Sequence, residues 1–207
     1  MVATAPSSAF VKLLPEYPKD EAVKLQQVRY HAAILVVLVL ERPLSHTYWL
    51  NVSDSSIPFV AVIEQTNFVP PEHYGGKHIV YLSNYLGRDN PMYHMSPDEL
   101  FQHYLPHLKR INPNFDISWV QERYYHREDA AQPIITTNYL ERLPGVRTPF
   151  KGLYFSNTTH VYPEDRGTNY AVRLGRKVTQ LVLEDTGNGT LELGLAAIGD
   201  SYTSLAR

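Results

Sequence analysis

No cysteine occurs in the 207 residues, which rules out a disulfide scaffold, a thiolate metal site and a cysteine nucleophile. Positive charge is not in excess either. A formal net charge of −2 and a pI near 6.5 remove the electrostatic case for nucleic acid or an anionic membrane as the main partner. The apolar run Ala32–Leu40 falls far short of the ~20 residues of a membrane helix. No basic region precedes an apolar core at the N-terminus, so no signal peptide is indicated. The Asn-x-Ser/Thr sequons at Asn51, Asn157 and Asn188 therefore read as chance. The expectation is a soluble, cytoplasmic protein. Repeats and low-complexity stretches are missing too. So is any G-x-G-x-x-G, and with it the phosphate-cradling turn of a dinucleotide-binding unit.

What is present suits a packed core. The chain is 43% hydrophobic with 15 tyrosines, enough for one domain, or one domain plus part of another. Val2–Ala5 reads as a strand, followed by Pro6 and a short helix through Phe10, Val11 and Leu14 that Pro15 and Pro18 terminate. Val28–Leu40 is the strongest strand signal, apolar enough to expect burial on both faces. Thr47–Val52, Phe59–Gln65 and His78–Asn84 follow across short turns, which favours an antiparallel meander. Ser96-Pro97-Asp98-Glu99 is a capping box opening a helix to about Ile111. Trp119–His126 alternates as a strand, and Ala130–Pro149 reads as irregular. A hairpin is expected at Gly187-Asn188-Gly189. Together these give an α+β fold: a mostly antiparallel mixed sheet flanked by helices, with a C-terminal strand–loop–helix.

That last element, Gly152–Glu184, organises the rest. Leu153, Tyr154 and Phe155 form a short buried strand, a polar loop follows, and a helix opens at Gly167, Thr168 and Asn169. Thr168 or Asn169 can cap it, and Gly167 lets another group come close to the backbone. Val172, Val178, Leu181 and Val182 recur at helical spacing. With no acidic residue in its first turn, the helix start can seat a phosphate or a polarised carbonyl oxygen. The same pattern also describes an ordinary strand–loop–helix packing unit.

The element resembles the C-terminal flavin-binding segment of the flavin-dependent amine oxidase and protoporphyrinogen oxidase superfamily. In that superfamily a strand, a short polar turn and a glycine-led helix place the helix N-terminus against the flavin. Ser156, Asn157 and Thr158 stand where the superfamily usually has Ala-Gly-Asp or Ala-Gly-Glu. The resemblance extends from Val2 to about Val182. Val2–Pro6 is similar to the strand that re-enters the dinucleotide-binding domain, and Gly145–Thr158 to the return into it. The division implied is a substrate-binding-like domain over 1–150, a C-terminal FAD-binding-like element over 151–184 and a tail over 185–207. It also implies a truncated or split protein whose N-terminal Rossmann half lies elsewhere.

On this resemblance the flavin-side residues are Asn157, Thr158, Thr159, Arg166, Gly167, Thr168 and Asn169. A substrate wall would include Glu64, Thr66, Asn67, Tyr125 and Gln132, with Asn84, Tyr85 and Tyr139 as further candidates. No acid–base pair stands out, since the flavin carries the redox step in this family. The cofactor implied is FAD, and its retention by this chain alone is not expected. Micromolar binding needs ~8 kcal/mol, while a helix N-terminus contributes roughly 0.3–1 kcal/mol, up to about 2 when partly buried. The partners implied are a small-molecule substrate and either a separate FAD-binding chain or a homodimer, with no nucleic acid and no membrane span. The alternative is a non-catalytic binding module that pairs with a nucleotide-binding partner, adding Val2–Ala5 to its sheet edge. His103 and His107 have the spacing of a two-histidine metal site, but no third ligand is indicated, so no metal is expected. Ile198–Thr203 resembles the first block of the GDS-type esterases; with four residues following, Ser201 lacks the downstream base that would activate it.

Overall fold

The computed structural model describes residues 1–187. In chain order the elements are β1 (Val2–Ala3), α1 (Ser7–Leu13), α2 (Lys19–Gln26), β2 (Tyr30–Leu40), β3 (Trp49–Asn51), β4 (Ala61–Glu64), β5 (His78–Leu86), α3 (Pro97–Ile111), β6 (Val120–Pro133), α4 (Tyr139–Arg142), β7 (Tyr154–Phe155) and α5 (Thr168–Thr186). Short 3-10 turns join several of them. The fold is α+β, as expected. It divides into two compact units, one formed by residues 1–25 with 140–207 and the other by 26–139. The Ile198–Thr203 block and most of the Gly187–Gly189 turn lie outside the described residues.

The second unit is a five-stranded antiparallel sheet in the order β3-β4-β5-β2-β6. The expected meander holds for β3, β4 and β5. The most apolar strand, β2, inserts between β5 and β6 rather than taking the edge. From Ala32 on its burial alternates strictly, with Ala32, Ile34, Val36, Leu38 and Leu40 inside and the residues between them half-buried. The expectation of burial on both faces is therefore corrected: one face is packed, against Leu100, Phe101, Tyr104 and Leu108 of α3 together with Val80 and Leu82 of β5. A register shift between His31 and Ala33 carries β6 on to Pro133, so Ala130–Pro133 is strand and not irregular. The capping box of α3 is present in full: Ser96 accepts from the Glu99 amide, and the Glu99 carboxylate accepts from the Ser96 amide.

In the first unit β1 and β7 form a two-stranded parallel sheet, Val2 opposite Tyr154 and Ala3 opposite Phe155. Phe10 stacks on Phe155 at 4.3 Å and meets Tyr17 edge-on at 5.4 Å, closing a small core with Leu25 and Leu153. Pro18, which stops α1 in the sequence reading, also starts α2: its carbonyl accepts from the Ala22 amide, and Asp20 and Glu21 occupy the first turn. Only Val178 of α5 is buried. Among the described residues no helix is long and apolar enough to cross a membrane.

Candidate functional site

The carboxyl ends of β1 and β7 are gathered by one side chain. Asn157 Nδ2 donates to the Ala5 carbonyl at 2.9 Å, and its Oδ1 accepts from the Thr159 amide at 3.0 Å and hydroxyl at 2.6 Å. The Asn157 amide donates to His160 Nδ1 at 3.3 Å, and His160 Nε2 lies 3.0 Å from the Pro144 carbonyl. Burial, above all, pushes the His160 pKa down. Thr159 is fully buried, whereas Thr158 is exposed. Next to this knot is a groove of about 410 Å³ lined by Val2, Thr4 and Ser156 from the strand side and Ala171, Leu174 and Gly175 from α5, together with Asn157 and Thr158. Ser156 is 4% exposed, and among the described residues its hydroxyl has no hydrogen-bond partner.

The start of α5 differs in one respect from the sequence reading. Neither Thr168 nor Asn169 caps it: Gly167 is the N-cap residue, no side chain caps the helix, and no acidic residue stands in its first turn. Gly167 is extended (φ −170°), a conformation open to any residue, and a Cβ there would meet only Asn169 Oδ1 at 2.7 Å and, more distantly, the Tyr170 ring. Within the described residues, then, the close approach that glycine permits comes from the helix's own first turn. Gly167 and Arg166 are half-buried, Thr168 and Asn169 exposed. These four lie off the groove lining, so the flavin-side set splits into a groove part, Asn157 and Thr158, and a helix-start part. Thr159 contributes through its bonds to Asn157. Free amides at the helix start and the unpartnered Ser156 hydroxyl are donors, a set that fits an acceptor-rich ring edge such as that of a flavin.

The substrate-side residues lie in the second unit. Glu64 is fully buried, its carboxylate accepting from the Leu44 amide (3.1 Å), the Ser45 amide (2.6 Å) and the Ser45 hydroxyl (3.1 Å), with His78 Nδ1 at 3.7 Å. Burial raises its pKa, against those bonds and the His78 charge, which lower it. Thr66 accepts from the Ile79 amide, and Asn67 donates to the Ser45 and Thr47 carbonyls. Glu64 and Asn67 thus brace the Leu44–Thr47 turn, and Thr66 ties its own turn to β5. Tyr125 and Gln132 stand well apart on β6, Tyr125 with a buried, unpartnered hydroxyl and Gln132 half-buried opposite His31. Tyr104 lies in the core near Asn84, and burial pushes its pKa up to about 12. His103 and His107 have ring centroids 6.4 Å apart, and among the described residues no group of three or more potential ligands surrounds them.

The unpacked face of this sheet escaped the sequence reading. Register places Trp49, Ile63, Tyr81, Val37 and Tyr124 in one row across all five strands. Trp49 and Tyr124 are about half exposed, at 54% and 50%, and the others are half-buried. Part of the signal was available: on β2 and β5 apolar or aromatic residues continue on the face opposite the core, as Val37 and Val39 and as Ile79 and Tyr81.

Comparison with known proteins bears on what these features serve. The sequence profile described as flavin containing amine oxidoreductase matches residues 1–190. No curated protein sequence matches. Among solved structures, a protein from Exiguobacterium sp. 255-15 provisionally named a protoporphyrinogen oxidase superposes with a TM-score of 0.66 at 17% identity, covering 88% of this chain and 41% of its own. An oxidoreductase from Methanosarcina mazei gives 0.60 at 19% identity, covering 87% and 42%. A reduced UDP-galactopyranose mutase gives 0.51 at 14% identity, covering 68% and 31%. The chain therefore spans about two fifths of the length of the first two structures it resembles.

Proposed function

The chain belongs to the flavin-containing amine oxidoreductase family, and from that premise we propose that it supplies the substrate-binding part (residues 1–150) and the flavin-facing element (residues 151–184) of an FAD-dependent oxidoreductase. The dinucleotide-binding half of that enzyme would come from outside these residues. Bound FAD would supply the redox chemistry, accepting a hydride from a C–H bond of a small-molecule substrate as the adjacent C–N or C–C bond becomes double and its other atom gives up a proton. This chain's own residues would bind, orient and shield. The free amides of Thr168, Asn169 and Tyr170 would face negative charge developing at the N1/C2=O edge of the ring, preorganised before reaction. Asn157 would hold the loop at the strand ends. The row Trp49–Ile63–Tyr81–Val37–Tyr124 would wall the substrate and exclude water.

The observation carrying this reading is the parallel pair β1–β7, whose carboxyl ends converge at Asn157 next to an uncapped helix. Ligands of open α/β sheets bind outside the carboxyl ends of the strands. A pair this small also gains from further strands beside it, because two strands alone are marginally stable. The same two-stranded pair supports a second reading, a non-catalytic module that completes the sheet of a separate nucleotide-binding protein.

The test is to add FAD to the 207-residue chain alone and to a complex with a dinucleotide-binding half of the family. The chain alone should bind no more than a trace at micromolar FAD, and the complex should hold one equivalent. Gly167→Asp, which sets a carboxylate at the helix start, should weaken flavin binding about tenfold or more in the complex. One equivalent retained by the isolated chain, or a complex indifferent to Gly167→Asp, would overturn the assignment.

A further inference from the structure

We propose that His160 is a positioning residue: its neutral ring latches the loop at the carboxyl ends of β1 and β7, and protonation unlatches it. The hydrogen bonds fix the tautomer. A carbonyl can only accept, so the 3.0 Å contact with Pro144 requires a proton on Nε2. A backbone amide can only donate, so the 3.3 Å contact from Asn157 requires a bare Nδ1. Only the neutral Nε2–H form satisfies both. A proton on Nδ1 sets two donors against each other at Asn157. The nearest alternative acceptor is Thr159 Oγ1, whose 3.4 Å contact is longer than either bond of the neutral ring.

Asn157 passes the effect on, since its side chain bonds the Ala5 carbonyl beyond β1 and both polar groups of Thr159. One imidazole thereby ties together three segments: the approach to β7 at Pro144, the loop leaving β7, and the turn after β1. The phenylalanine of β7 packs edge-on against the ring at 5.6 Å. A cleft of about 180 Å³ brings Lys177, Arg173, Tyr162 and Tyr170 around it, with Arg173 paired to Glu164. The charge of Lys177 acts on the ring and opposes a second cation. Burial acts in the same direction.

The sign follows. A released histidine titrates near 6.5, and the latched ring below that. As pH falls under about 6.5, the unlatched state takes up the proton first and gains up to about fivefold in population over the first pH unit, until the latched ring also titrates. The inference concerns hydrogen bonds within the chain and stands whether or not a flavin binds.

The experiment uses the uniformly ¹⁵N-labelled 207-residue chain. Two-bond ¹H–¹⁵N spectra of its histidine rings read tautomer and midpoint, and His160→Gln identifies the signal. Amide exchange, expressed as protection relative to the intrinsic rate, reads the loop at Asn157 and Thr159. The expected result is the Nε2–H tautomer at neutral pH, a midpoint below about 6.5, and an Asn157 protection that drops up to about fivefold from pH 6.5 to 5.5. His160→Gln can accept from Asn157 and donate to Pro144 without titrating, so its protection should hold within about twofold. The Nδ1–H tautomer at neutral pH, an ordinary midpoint, or the same drop in His160→Gln would overturn the proposal. If the variant does not fold, the spectra of the unaltered ring decide.

Discussion

Replacing Glu64 tests whether a buried carboxylate holds the second unit together. Glu64→Ala strips the acceptor from the Leu44 amide and from both donors of Ser45. Leu44 is 1% exposed, so its orphaned amide costs about 1–3 kcal/mol, while the Ser45 groups can reach water and lose about 0.5–1.5 kcal/mol between them. The sum is about 2–4 kcal/mol, a fall of about 1–2 M in the urea midpoint. Both tryptophans, Trp49 and Trp119, belong to this unit, so their fluorescence reports its unfolding. Glu64→Gln adds a pH test. Burial holds the folded pKa of Glu64 above its unfolded value. Its titration therefore favours the fold below the unfolded pKa, and that contribution is lost as pH rises through the folded one. Glutamine carries no such dependence, so the stability gap between the native chain and Glu64→Gln should narrow as pH climbs from about 4 towards neutral. A gap that widens instead, or a Glu64→Ala cost under about 0.5 kcal/mol, would refute the reasoning.

Ser96→Ala removes the capping box of α3 and should cost about 1 kcal/mol in the same tryptophan assay; no change would mean the helix end is held otherwise. Gly167→Ala should fold within about 0.5 kcal/mol of the native chain, because its backbone is ordinary and the Cβ displaces only a movable Asn169 oxygen. A large loss in thermal denaturation would show that the helix start is more tightly packed than this. Phe155→Ala deletes the ring stacked on Phe10 and should remove about 3–5 kcal/mol from the first unit, seen as lost amide protection around Leu25 and Leu153. Unaltered protection there would count against that small core.

Local chemistry was legible in the sequence wherever neighbouring residues settle it. Ser96 and Glu99 cap each other across three positions, and the structure shows that box bond for bond. The start of α5 was legible for the same reason, but the identity of its cap was not, because Gly167 takes that place without using a side chain. Pro18 was read as a stop although it equally opens α2. Longer-range roles stayed hidden. Glu64 bonds to a turn some twenty positions upstream, and Asn157 reaches Ala5 across most of the chain; neither distance leaves a pattern in composition or spacing. His160 had no motif to mark it, since its role comes from Pro144 and Asn157 being brought to opposite edges of one ring. The placement of β2 was hidden likewise, because strand order depends on which partners can cover an apolar face.

The central position of β2 has a consequence for the chain as it leaves the ribosome. This most apolar strand emerges early, yet its neighbours β5 and β6 begin only at His78 and Val120. From Leu40 to Val120 is about 80 residues, or about 4–16 s of translation at roughly 5–20 residues per second. Until β5 has been made both edges of β2 are unpaired, and one edge stays unpaired until β6 follows, so the nascent chain is most prone to mispairing before β6 has been made. Slowing translation between positions 40 and 120 should therefore lower the soluble yield more than slowing it after 133.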